Sequence, residues 1–253
     1  VLLCIDIGNT NTVLATFEGE KLVHSWRVKT DGHATADELG LLYRGLLATD
    51  AVSVTGICAC STVPAALRSL RTMLSRYYGH IPKVIVEPGV RTGVQLAIDN
   101  PKEVGADRVA NTLAAFNLYG GPSIVVDFGT STNFDVISAR GEFLGGVLAP
   151  GIEISVDALA ARAAQLRKVE LIKPPRIIGK NTVECLQSGV VYGFAGQVDG
   201  VVGRVTAELG GEVTAVIATG GLAPVVIGEC VTVTHHEPML TLMGLRMIFE
   251  RNM

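Results

Sequence analysis

Asp6-Ile7-Gly8-Asn9-Thr10-Asn11-Thr12 and Asp127-Phe128-Gly129-Thr130-Ser131-Thr132-Asn133 are one phrase written twice. Each follows an apolar run, Val1-Leu2-Leu3-Cys4-Ile5 before the first and Ser123-Ile124-Val125-Val126 before the second. The aspartates stand at 6 and 127 and the glycines at 8 and 129, so both pairs lie 121 positions apart in a chain of 253. A further β-rich run follows each phrase, over 12–28 and 133–150, with Gly19-Glu20 and Gly141-Glu142 at its turn. A duplicated strand-turn-strand-turn-strand unit accounts for this repetition.

Helical periodicity fills the intervals. Thr35-Ala36-Asp37-Glu38 has the form of a capping box and leads into Leu39, Leu42 and Leu46 at helical spacing. A second helix runs through Leu67, Leu70 and Leu74, with Pro64 near its start. A third begins around Ala106 and sets Val109, Thr112, Leu113 and Phe116 on one face. Residues 157–166 and a long helix from Asn181 repeat the theme. There Asn181 and Glu184 form a cap pair, and Gly189, Gly193, Gly196 and Gly200 predict close packing against a neighbour. Strands over 53–60, 83–88 and 215–221 separate the helices, so the class is α/β in two halves.

Composition narrows the function. With 48% hydrophobic and 18% charged residues the chain can fill one large core or two smaller ones, which excludes disorder as its main state. Its 21 Lys+Arg against 24 Asp+Glu, a net charge of −3, give a nucleic-acid backbone nothing to grip. The apolar start meets Asp6 without a basic flank and reads as a first strand, not a signal peptide. The apolar stretch after Cys185 meets Asp199 before the roughly 20 residues a membrane span needs, so a soluble protein is expected. Cys4, Cys58, Cys60, Cys185 and Cys230 sit mostly in apolar runs and read as reduced thiols. Cys58 and Cys60 occupy alternate positions of one strand, and neither a second cysteine pair nor a ligand cluster beside His235 and His236 completes a metal site.

An aspartate ending a strand, followed by Gly, Asn and Thr, makes a workable polyphosphate clamp. Gly8 allows the turn, amides and side chains donate to phosphate oxygens, and Asp6 can face the metal that travels with them. The same residues also fit an Asx-type turn that satisfies only its own backbone. Singly the two readings weigh about equally; repetition at matching places favours phosphate, with two loops able to hold one nucleotide between two domains. Asp127 is the acid of the second loop. Ala218-Thr219-Gly220-Gly221 after a strand suits ribose or adenine, or is simply a turn. Asp107, in the first turn of the third helix where the macrodipole favours its ionised form, is either a cap or, with Gly105 and Arg108 beside it, a candidate base. G-x-x-x-x-G-K-[ST], G-x-G, G-x-S-x-G and H-E-x-x-H do not occur, which removes the P-loop, the Rossmann fingerprint and the best-known hydrolase and metalloprotease routes.

Seven segments, in order along the whole chain, resemble those of the type III pantothenate kinases, also called the Bvg accessory factor family. They are DIGNTNT at 6–12, NPKEVGADR at 100–108, DFGTST at 127–132, LAPG at 148–151, GKNT at 179–182, ATGG at 218–221 and LTLMGLR at 240–246. The resemblance implies a duplicated ribonuclease-H-like fold of the actin, Hsp70 and acetate and sugar kinase superfamily, with an N-terminal domain over 1–117 and a C-terminal domain over 118–253. It implies ATP-dependent phosphorylation of pantothenate to 4′-phosphopantothenate, the first step of coenzyme A synthesis, by a cytoplasmic homodimer.

The same resemblance assigns residues. Asp6, Ile7, Gly8, Asn9, Thr10, Asn11, Thr12 and Val13 would hold ATP, with Thr130 a further ATP contact. Asp127 would ligate a monovalent cation, K⁺ or NH₄⁺, and Mg²⁺ would arrive with ATP, placed by Asp6 with Asp127 as a second candidate. Ile98, Gly105, Ala106, Asp107 and Arg108 would line the pantothenate site with Asp107 as proton acceptor, and Thr182 would reach pantothenate from the partner subunit. Two departures stand out: many members carry Tyr at the position of Ile98, and GTATT where this chain has Gly129-Thr130-Ser131-Thr132-Asn133.

Overall fold

The computed structural model describes residues 1–49, 53–162 and 169–253. In chain order, β1 (Leu2–Ile7), β2 (Asn11–Glu18) and β3 (Lys21–Lys29) lead to α1 (Ala36–Thr49), β4 (Gly56–Ser61), α2 (Pro64–Tyr77), β5 (Lys83–Ile85) and α3 (Ala106–Tyr119). Then come β6 (Ser123–Phe128), β7 (Ser131–Ile137), β8 (Phe143–Pro150), α4 (Ile152–Arg162) and α5 (Thr182–Glu208). β9 (Ala215–Thr219), α6 (Ala223–Val226), β10 (His235–His236) and α7 (Leu240–Asn252) complete the chain. The helix expected over 157–166 is α4 as far as Arg162; its last four positions lie outside the described residues.

The two sheets have the same wiring. One runs β3-β2-β1-β4-β5 and the other, read from its far edge, β8-β7-β6-β9-β10. In each, three antiparallel strands are followed by strands added in parallel beside the first: β4 and β5 in one, β9 and β10 in the other. Even the irregularities match, since the β2–β3 ladder slips between Thr16 and Phe17 and the β7–β8 ladder between Val136 and Ile137. These bulges are 120 positions apart, not 121. Ile7 pairs with Thr12 across the first turn but Phe128 with Thr132 across the second, so the second turn is one residue shorter. Thr12 therefore corresponds to Thr132, and both are buried.

The chain forms two compact units, one of residues 1–94, 99–114 and 240–253, the other of 95–98 and 115–239. The division falls within α3, between Ala114 and Ala115. α7, in the expected C-terminal half, counts with the first unit because it packs on β1 and β4. Gly56 of β4 admits Phe249, since a Cβ there would lie 2.5 Å from its ring. The central strand β1 is consequently buried on both faces, with Leu3, Ile5 and Ile7 in one core with Tyr43, Leu70 and Met73 of α1 and α2. Its other face carries Cys4, fully buried beside Arg246 of α7. That is why residues 1–5 and 56–60 read as unbroken apolar runs rather than alternating ones. In the second unit Ile124, Val126, Phe128 and Phe134 pack with Val198 and Val202 of α5.

The caps form as expected. The Glu38 carboxylate accepts from the Thr35 amide at 2.7 Å, and Asn181 Oδ1 accepts from the Glu184 amide at 2.9 Å. The neighbour predicted by the α5 glycines is not found among the described residues. A Cβ at Gly189, Gly193 or Gly196 would meet nothing within 4 Å, and at Gly200 only the tip of Arg204.

Candidate functional site

In the first unit Asp6 is the penultimate residue of β1 and pairs in register with Cys60 on the parallel strand β4. The buried Cys60 thiol donates to Asp6 Oδ1 at 3.2 Å. Burial, and then the charges of Asp6 and Asp107, hold that thiol well above its ordinary pKa, so it remains a protonated donor. Sequence reading took Cys60 as a core thiol only; the strand register is what sets it against the carboxylate.

Asp107 is the second residue of α3, and its carboxylate accepts from its own amide and that of Arg108. Its Oδ1 is buried and has no hydrogen-bond partner among the described residues. Burial raises the pKa above the usual value near 3.8, against the lowering by the two amides and Arg108. The helix terminus was expected to favour the ionised form; desolvation outweighs it. Gly105 leaves room for this oxygen, because a Cβ there would sit 2.3 Å from Oδ1.

The loop between β1 and β2 divides its residues into two kinds. Asn9 and Thr10 form an exposed tip, and the Gly8 amide closes the turn onto the Asn11 carbonyl at 3.0 Å. Ile7 lies in the core, Val13 pairs with Asp6, and the buried Thr12 hydroxyl bonds the Thr30 hydroxyl at 2.9 Å. Thr30 was missed by motif reading because it sits a full hairpin away. Behind it a cleft of about 230 Å³ is lined by Ile7, Thr12, Asp31, Glu38 and Leu39 among others.

In the second unit Asp127, the penultimate residue of β6, is in register with Thr219 on β9. Gly220, at φ +91°, lets the chain turn against this carboxylate; a Cβ there would lie 2.6 Å from Asp127 Oδ1. The Ala218–Gly221 segment, read separately in the sequence, thus belongs with the second loop. Thr130 is exposed at that loop's tip. The departing residues Ser131 and Asn133 are bonded to each other, hydroxyl to Oδ1, at 2.9 Å. Ile98 lies in a short segment that pairs with β8 at Phe143, and its Cγ2 would be 3.6 Å from a Cβ at Gly145. Thr182, exposed, opens α5 after the Asn181 cap.

Among the described residues no three His, Cys, Asp or Glu side chains converge on a metal. Mg²⁺ bound with a nucleotide keeps phosphate oxygens and water as ligands and needs only one or two protein carboxylates. Asp6 and Asp127 each offer one carboxylate beside a turn, which suits cations of that kind.

The sequence profile of a family described as type III pantothenate kinase matches residues 2–204. The type III pantothenate kinase of Salinispora arenicola is 77% identical over 252 residues, covering 100% of both chains. Among solved structures, component A of the (R)-2-hydroxyglutaryl-CoA dehydratase of Acidaminococcus fermentans superposes with TM-score 0.57 at 15% identity, over 99% of this chain and 98% of that one. The inorganic polyphosphate/ATP-glucomannokinase of Arthrobacter sp. strain KM gives TM-score 0.54 at 14% identity, over 100% and 99%. These likenesses agree with the matched wiring of the two sheets: the fold is a duplicated ribonuclease-H-like α/β fold.

Proposed function

The chain belongs to the type III pantothenate kinase family, and from that premise we propose how its residues serve the ATP-dependent phosphorylation of pantothenate that opens coenzyme A synthesis. Phosphoryl transfer passes through a loose transition state, so the protein's task is to align the acceptor hydroxyl and offset phosphate charge. Asp107 is the proton acceptor. The observation that carries this role is its buried, unpartnered Oδ1, which has the lone pair a substrate hydroxyl needs and no competing donor. Its raised pKa, caused by burial, brings it nearer the operating pH, which strengthens it as a base. Gly105, Ala106 and Arg108 line the acceptor side with it, and Ile98 and Thr182 are the further pantothenate residues.

ATP is held by the loop from Asp6 through Val13 and by Thr130, with Asn9 and Thr10 offering donors at an exposed tip. Ile7 and Thr12 act through the loop's shape, since their side chains point into the fold. A kinase uses ATP with a divalent metal; here that is Mg²⁺, which neutralises phosphate charge and would be held by Asp6. Asp127 would hold K⁺ or NH₄⁺.

The working form is a cytoplasmic homodimer. Supporting it, the second unit exposes Leu148, Ile177, Ile178 and Val183, and among the described residues nothing covers the glycine face of α5, with Thr182 at the start of that helix. Among the described residues no helix is long and apolar enough to cross a membrane.

The test is Asp107→Asn. It should remove pantothenate-dependent ADP release while leaving ATP binding within about twofold, and near-normal turnover would show that another group takes the proton.

A further inference from the structure

The two turns of the duplicated fold are supported in different ways. Because Asn11 pairs with Lys29 and Ser131 with Pro150, the residues that follow, Thr30 and Gly151, occupy equivalent places beneath the two turns. In the second unit Gly151 touches the turn with bare backbone. A Cβ there would fall 2.2 Å from the Thr130 carbonyl oxygen and 2.7 Å from that of Gly129. In the first unit a side chain does the work. The Thr30 hydroxyl donates to the Gly8 carbonyl at 2.7 Å, and the Thr30 amide donates to the Thr10 carbonyl at 3.0 Å. The buried Thr12 hydroxyl, 2.9 Å away, holds the Thr30 hydroxyl in place.

A peptide bond is planar and trans, so its C=O and N–H point in opposite directions. Fixing the Gly8 carbonyl toward Thr30 therefore fixes the Asn9 amide away from it, toward the exposed tip. Without the hydroxyl that peptide can turn over and present a carbonyl oxygen where a phosphate oxygen must bind, which replaces attraction by repulsion. We propose that Thr30, which lies outside the loop and touches no substrate, is the positioning residue that fixes the Gly8–Asn9 peptide for ATP. This rests on the reading of the Asp6–Val13 loop as the phosphate site.

The experiment compares Thr30→Val, Thr30→Ala and Thr30→Ser with Asn9→Ala, measuring the KM for ATP and for pantothenate separately. Removing the hydroxyl should raise the ATP KM about tenfold, as the loss of a buried hydrogen bond and a misdirected peptide dipole, with the pantothenate KM within about twofold. Thr30→Ser, which keeps the donor, should restore the ATP KM. Thr30→Ala lacks the added methyl of valine, so a folded hydroxyl-free form remains to be measured if Thr30→Val does not fold. A normal ATP KM in the hydroxyl-free variants, with a raised one in Asn9→Ala, would overturn the role of Thr30 and leave the loop reading standing. Normal values in all of them would overturn both. Equal rises in both KM values, unrelieved by serine, would reduce Thr30 to a structural residue.

Discussion

Gly105→Ala places a methyl group where the structure has room only for the Asp107 carboxylate. The added Cβ would stand 2.3 Å from Oδ1. Non-bonded heavy atoms rest near 3.5 Å, so the carboxylate must retreat by about 1 Å. It can do so, because the atom in the way is the end of a rotatable side chain. The net effect on stability is small, within about 1 kcal/mol, because the weaker helix cap that alanine makes is offset in part by the stiffer unfolded chain. The cost to the reaction is larger. A misplacement of about 1 Å is worth roughly 100-fold in rate, or about 2.7 kcal/mol of transition-state stabilisation. The assay is ADP release with pantothenate and ATP varied in turn, beside a thermal melt of the same preparation. We expect kcat to fall about 100-fold, with the ATP KM and the Tm nearly unchanged. A kcat within about threefold of the parent, in a protein melting at the same temperature, would refute the argument that the position of Oδ1 limits the rate.

Asp107→Asn should also stabilise the protein at neutral pH. The folded pKa of Asp107 is raised, so the folded state binds its proton more tightly than the unfolded chain, and stability is lost as pH rises from the ordinary Asp value near 3.8 through the raised one. The variant's higher Tm at pH 7 should shrink toward zero below about pH 4, and an equal gain at both pH values would contradict burial as the cause. Gly244→Ala would put a Cβ 2.0 Å from the Ala110 carbonyl oxygen, on backbone that cannot swing aside. We expect a loss of about 2–3 kcal/mol, a fall in Tm of roughly 5–10 °C, and an unchanged melt would mean that α3 and α7 part freely. Asp127→Ala should abolish the dependence of rate on K⁺; a retained K⁺ response would place the cation elsewhere.

The fold was legible because its repeat is written in the backbone's own requirements. An aspartate, a turn glycine and apolar flanks recur at 6–12 and 127–133, and both hairpins carry Gly-Glu at their bends. The one-residue difference between the turns was not legible, since Asn11-Thr12 and Ser131-Thr132-Asn133 align equally well without a gap until strand register sets Thr12 against Thr132. The placement of α7 was equally hidden. Its partners on β1 and β4 lie about two hundred residues away in sequence, and only the fit of Gly244 on Ala110 and of Phe249 over Gly56 reveals them. At the site, Asp6 and Asp107 could be singled out by type and position. Cys60 and Thr30 could not, because a cysteine in an apolar strand and a threonine ending a hairpin carry no local sign of what they bond. The glycines of α5 predicted a close neighbour, and among the described residues nothing fills the space beside them.

Purified protein with ATP and Mg²⁺, assayed for ADP with and without pantothenate in K⁺ and then in Na⁺ buffer, tests the central claim most directly. The account predicts ADP release that requires pantothenate and is fast in K⁺ and slow in Na⁺. A protein that binds ATP yet releases no ADP when pantothenate is added, in either buffer, would contradict it.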